Sequence, residues 1–120
     1  MAKHKAAQNC TILPWLSARS DSREGRFVQV GNSLLLSEEF HGLNAGARFI
    51  YLCMALDAGG QREFEFTVTD AKKYGIDSAT LRRRIPELVE NGFLEVDSGR
   101  TVRKPNRYRF SFRWKQEKQV

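Results

Sequence analysis

Five cations cluster in the stretch FTVTDAKKYGIDSATLRRRIPELVENGF, residues 66–93. Lys72 and Lys73 come first, and Arg82, Arg83 and Arg84 follow in a row. Arg100, Arg103, Lys104 and Arg107 lie further along. A guanidinium carries a rigid fork of donors that fits the oxygens of a phosphate or the O6/N7 edge of guanine, whereas an ammonium acts as a point charge. The chain has 120 residues, 20 Lys+Arg against 14 Asp+Glu, and a formal net charge of +6. Residues 1–80 hold 9 of each sign, and residues 81–120 hold 11 Lys+Arg and 5 Asp+Glu. All of the excess therefore falls in the last third. That asymmetry is the footprint of a phosphate-binding face; the plainer alternative is a solvated basic surface.

Other chemistries find little support in the residue types. His4 and His41 are far apart with no ligand spacing, so no metal is expected. No nucleophile elbow and no phosphate-cradling glycine motif is present, so neither an enzyme nor a cofactor is expected. A DNA-nicking relaxase would need a nucleophilic tyrosine with a histidine cluster. Tyr51, Tyr74 and Tyr108 sit in core or sheet patterns, and two distant histidines do not build that site. Cys10 and Cys53 are isolated, which fits a reduced, cytoplasmic protein. No run of ~18 apolar residues suggests a membrane span. The basic N-terminus lacks the apolar stretch of a signal peptide.

Two helical patterns position the cations. Thr67 with Asp70 forms a capping box for the first, and Gly75 suits the positive φ that ends it. Asp77 caps the second, in which Leu81, Ile85, Leu88 and Val89 make one apolar stripe. Ser78, Ala79, Arg82 and Arg83 lie away from that stripe. Pro86 removes a backbone donor and crowds the carbonyl of Arg82, which predicts a kink or a break. Two short helices around a glycine turn, the second basic outside, describe a helix-turn-helix. Phe93–Val96 then reads as a strand, 98–106 as a basic loop, and Arg107–Trp114 as a strand. In that last strand Tyr108, Phe110, Phe112 and Trp114 alternate with Arg107, Arg109, Ser111 and Arg113. Helix, strand, basic loop, strand is the layout of a winged helix.

The fold class expected is α+β, a winged helix-turn-helix of about three helices with a small antiparallel sheet and a C-terminal hairpin wing. Residues 26–116 form the domain, 1–25 a flexible polar tail and 117–120 a short tail. Within 1–25, Ile12–Leu16 is apolar and suited to docking, and Ser17–Gly25 has linker composition. Phe27–Val30 reads as a strand that turns at Gly31-Asn32 into a second strand, Ser33–Leu36, or continues extended. Ser37–Phe40 suits one helical turn. Asn44 caps a helix to about Asp57, closed by Gly59-Gly60. Its apolar residues span an arc of roughly 200°, more than one contact needs. Either the N-terminal segment covers the second stripe, Ile50 and Met54, or a second copy does so in a homodimer. Phe64 and Phe66 face inward on a strand whose Glu63 and Glu65 oppose arginines of 107–114.

The segments Ala47–Met54, Ala71–Ile76, Glu87–Phe93 and Asn106–Trp114 resemble winged-helix proteins encoded on plasmids and conjugative elements of Gram-positive bacteria. The similarity covers about three quarters of the chain. Such relatives include N-terminal domains of replication initiators and accessory factors that bind transfer origins. The resemblance implies sequence-specific binding of double-stranded DNA, with a role in transfer (the relaxosome) or replication initiation. Ser78, Ala79, Arg82 and Arg83 would enter the major groove. Lys72, Lys73, Arg100, Arg103, Lys104 and Arg107 would contact phosphates or a minor groove. The alternatives are a winged helix that docks a relaxase, an initiator or itself, and a transcriptional repressor.

Overall fold

The computed structural model describes residues 11–13, 15–21, 23–97 and 107–116. Two three-stranded antiparallel sheets and six helices make up this α+β domain among the described residues, and three of the helices are single turns. The order is β1 (Thr11–Leu13), β2 (Leu16–Asp21), β3 (Gly25–Val30), α1 (Asn32–Leu35), α2 (Glu38–His41), α3 (Ala45–Ala58), β4 (Glu63–Glu65), α4 (Val68–Lys73), α5 (Ser78–Glu90), β5 (Leu94–Asp97), β6 (Arg107–Phe110) and α6 (Arg113–Gln116).

The N-terminal segment departs from its expected role as a tail. Residues 16–21 pair antiparallel with 25–30, and Thr11–Leu13 adds a third strand. Trp15, Leu16 and Ala18 are buried. Ser17–Asp21 has the polar composition of a linker, but alternate residues of β2 face the core, and Val28 and Val30 pack against it from β3. This sheet lies on α3 and supplies the cover that the wide apolar arc of that helix requires. Ile50 and Met54 are buried with Trp15 and Leu16 in one core.

The hairpin expected across Gly31-Asn32 does not form. The partner strand of β3 is β2, upstream of it, so residues 33–36 have no ladder to join. Instead Gly31 N donates to Trp15 O at 2.7 Å and the chain enters α1, which drives Leu34 into the core. Leu35 and Leu36 are left outside. The single turn near residue 38 and the long helix form as read. Ser37 Oγ accepts from Phe40 N, Asn44 Oδ1 accepts from Gly46 N, and Gly59 closes α3 with φ +63°.

The second sheet has the order β4–β6–β5, with Phe64 opposite Tyr108 and Leu94 opposite Phe110. The expected strand 107–114 is shorter than its alternation suggests. It stops at Phe110; Ser111 is buried rather than outward, and residues 113–116 coil into α6. That turn brings Trp114 back over Phe93, ring stacked on ring at 5.0 Å. The backbone approach is close. A Cβ on Gly92, whose φ is +83°, would lie 2.7 Å from Trp114 N, so only glycine fits there.

α4 and α5 are held by their apolar sides. Ala71, Leu81 and Leu88 are buried, and Ile85 and Val89 pack against the core partly covered. Leu88 is 0% exposed. Leu88→Ala should therefore cost ~2–5 kcal/mol of unfolding free energy, read from urea denaturation. An unchanged midpoint would show that the stripe is not the packed face.

Candidate nucleic-acid interface

The two helices that carry the cations are fixed at both ends. At the start of α4, Thr67 N donates to Asp70 Oδ2 at 2.9 Å and Asp70 N donates to Thr67 Oγ1 at 3.1 Å. Gly75 takes φ +78° in the turn. Thr80 N then donates to Asp77 Oδ1 at 2.7 Å and opens α5. This helix runs unbroken through Pro86, so of the expected kink or break the break does not occur. Pro86 and Arg82 are both exposed, so water can hydrate the Arg82 carbonyl that loses its helical donor.

Partners sort the cations into two groups. Arg26 NH1 donates to Leu56 O and Asp57 O at 3.0 and 3.1 Å, at the C-terminal end of α3. Arg113 NH2 donates to Val89 O at 3.0 Å and Glu90 O at 3.4 Å, at the C-terminal end of α5. Both sit where the negative pole of a helix favours a cation. Arg48 Nε donates to Leu43 O, and Arg62 Nε donates to Phe110 O. Arg84 pairs with Glu87 at 3.1 Å, and the other Glu87 oxygen accepts from Asn44 N at 2.7 Å. Glu87 thus bridges α5 to the start of α3, and the third arginine of the run holds that carboxylate from within its own helix.

The sheet arginines are also engaged. Arg107 pairs with Glu65 at 3.0 Å, and Arg109 reaches Glu95 at 3.3 Å and Glu63 at 4.0 Å. Opposition of Glu63 and Glu65 to arginines is as expected from the alternation. Its consequence is that Arg107, a candidate phosphate ligand, has a carboxylate beside it. Lys73 is similarly diverted to Asp57 at 3.3 Å and Asp70 at 3.7 Å.

Lys72, Arg82 and Arg83 are exposed and have no hydrogen bond or ion pair to a described residue. Ala79 is exposed beside them, and Ser78 is half-buried. The structure therefore gathers Lys72, Ser78, Ala79, Arg82 and Arg83 on two consecutive helices. Arg100, Arg103 and Lys104 lie outside the described residues. Arg23, at the turn between β2 and β3, is a further exposed cation without a described acceptor. The sequence signal for it was SDSREG between two alternating runs, a turn that linker composition concealed.

The remaining reactive groups are subdued. Burial and the nearby Asp57 carboxylate push the Cys53 thiol up to about 11. Burial and its hydrogen bond to Asp57 push the Tyr74 phenol up to about 12, and burial also raises Tyr51. Among the described residues no group of three His, Cys, Asp or Glu side chains is placed to hold a metal ion. No helix among them is long and apolar enough to cross a membrane. Comparisons with protein-family models, curated proteins and solved structures gave no match to this chain.

The two caps carry a pH dependence. The Thr67 backbone N–H holds the Asp70 carboxyl below its ordinary value, and the Thr80 N–H does the same for Asp77. A depressed folded-state pKa contributes stability that is full above the unfolded value, ~3.9, and is lost as pH falls through the folded value. Asp77→Asn keeps an acceptor oxygen but removes the proton linkage. It should flatten the acid limb of the urea midpoint measured from about pH 5 to pH 2; an unaltered limb would dismiss this linkage.

The division of the arginine run has its own test. Arg84→Ala should lower stability by up to about 1 kcal/mol, the upper end for a partly exposed pair. Arg82→Ala should stay within about 0.5 kcal/mol of the parent, as an unengaged surface residue does. Equal thermal shifts in the two variants would refute the distinction.

Proposed function

We propose that this chain is a winged helix-turn-helix that binds double-stranded DNA in a sequence-specific way. We place it as an accessory factor of a plasmid or conjugative element, in DNA transfer or replication initiation. The order α3, β4, α4, α5, β5, loop, β6, with β6 between β4 and β5, supports the winged-helix reading. One observation carries the DNA reading. Most of the described cations are turned to acceptors within the domain, while Lys72, Arg82 and Arg83 on the paired helices are not.

In this reading α5 enters the major groove. Arg82 and Arg83 offer bidentate donors to guanine O6 and N7, and Ser78 and Ala79 meet the groove near the helix start. Lys72 holds a phosphate, which sets register without reading sequence. The wing, residues 98–106, brings Arg100, Arg103 and Lys104 to phosphates or to a narrow minor groove. Arg107 contributes less, because Glu65 neutralises it.

A second reading, docking of a relaxase, an initiator or a second copy, draws on exposed apolar side chains. Leu36 is 71% exposed and Phe49 51%. Salt separates the two, since phosphate contacts weaken steeply with ionic strength and apolar docking does not.

Replacing Arg82 and Arg83 with alanine should cost ~1–3 kcal/mol per lost base contact and relax sequence preference. The measurement is competition binding of a selected duplex against random duplex. A double variant with the parent's ratio of the two affinities would sink base readout by α5.

A further inference from the structure

We propose that the β2–β3 hairpin is a second DNA-contacting arm, which lays Arg23 on phosphates beyond the N-terminal end of α5. The inference rests on the DNA-binding reading above and extends its surface to a part of the chain outside the helix-turn-helix and wing.

Three observations carry it. The first is the state of the hairpin's cations. Arg19 is spent on Gln29, to which it donates at 3.0 Å, and Arg26 is spent on the C-terminal carbonyls of α3. Arg23 alone of the three has no side-chain partner among the described residues, and it is exposed at the tip.

The second is that the tip has a fixed shape. Asp21 Oδ1 accepts from Arg23 N at 2.7 Å and from Glu24 N at 3.2 Å, and Gly25 follows with φ +87°. The Asp21 carboxylate is thereby turned to the backbone. A preorganised turn loses little conformational freedom when its side chain meets a ligand.

The third is location. Arg26 pins the hairpin to Leu56 and Asp57 at the end of α3. The Asp57 carboxylate accepts from Lys73 Nζ at 3.3 Å and from Tyr74 OH at 3.0 Å, at the end of α4. From Tyr74 the chain passes through Gly75 into the start of α5. Arg23 lies three positions before Arg26, at most ~10 Å of chain. The hairpin tip is therefore held close to the C-terminal end of α3, whose Asp57 also binds the end of α4.

Glu24 is exposed beside Arg23, and its carboxylate would repel a phosphate. This gives the test two signs. The wild-type protein first selects a duplex from a random-sequence pool. Affinity for that duplex, its salt dependence and the hydroxyl-radical footprint are then measured for the wild type, Arg23→Ala, Glu24→Gln and the Arg82→Ala/Arg83→Ala double variant. Arg23→Ala should bind roughly 8-fold more weakly at ~0.1 M salt, and its slope of log affinity against log salt should shrink by about 0.9, the value for one phosphate contact. Its footprint should retract at one edge with site preference retained. Glu24→Gln should bind more tightly than wild type. If Arg23→Ala keeps the full slope and footprint while the double variant loses site preference, the hairpin is off the DNA and the reading of α5 stands. If the wild type shows no salt-dependent duplex binding, the DNA reading falls and the arm falls with it.

Discussion

The placement of α5 depends on one side chain, Phe93. It follows the helix directly and is fully buried. Its ring meets Tyr51 of α3 edge-on at 5.3 Å, Phe40 of α2 at 6.0 Å and the face of Trp114 at 5.0 Å. Its backbone is equally committed: Phe93 N donates to Leu88 O, and Phe93 O accepts from Ser111 N. Each such ring pair contributes on the order of 0.5–1.5 kcal/mol beyond its buried area. More important is what the contacts join. Helix α5, helix α3 and the C-terminal turn all register on this residue, so the exposed face of α5 is set by a rigid aromatic core.

The same core extends to the N-terminal strands. Trp15 packs edge-on against Trp114 at 5.6 Å and against Phe112 at 5.8 Å, with Lys115 Nζ 5.0 Å from its ring. Through Trp15 the first sheet becomes part of the domain. That contact, together with Arg26 at the end of α3, holds the β2–β3 hairpin at both of its ends.

Electrostatics in this chain is a competition for cations. At the C-termini of α3 and α5 an arginine from another element donates to the last-turn carbonyls, Asp57 O and Glu90 O among them. The β4–β6–β5 sheet alternates carboxylates and guanidiniums across its outer face. Neither arrangement adds free charge to the surface. Formal charge therefore overstates what this domain can offer to a phosphate, and the useful quantity is the set of cations left without an internal acceptor.

Local signals were legible in the sequence wherever physics acts over a few residues. The Thr67–Asp70 box, the Asp77 cap, the Asn44 cap and the glycines at 59 and 75 are each decided by hydrogen bonds or backbone sterics within one turn. The inward faces of β4 and of β6, the first half of the expected strand 107–114, followed from their period. Tertiary structure decided the rest. Leu16–Asp21 is strand because β3 offers it a ladder and α3 offers it a core, neither of which its polar composition announces. Trp114 leaves the strand because Gly92 lets the backbone approach and Phe93 offers a ring to stack on. Arg82, Arg83 and Arg84 are identical in sequence type. Arg84 meets Glu87 three residues on in the same helix, whereas the fold decides that its two neighbours stay exposed, because which side of a helix is covered depends on what packs there.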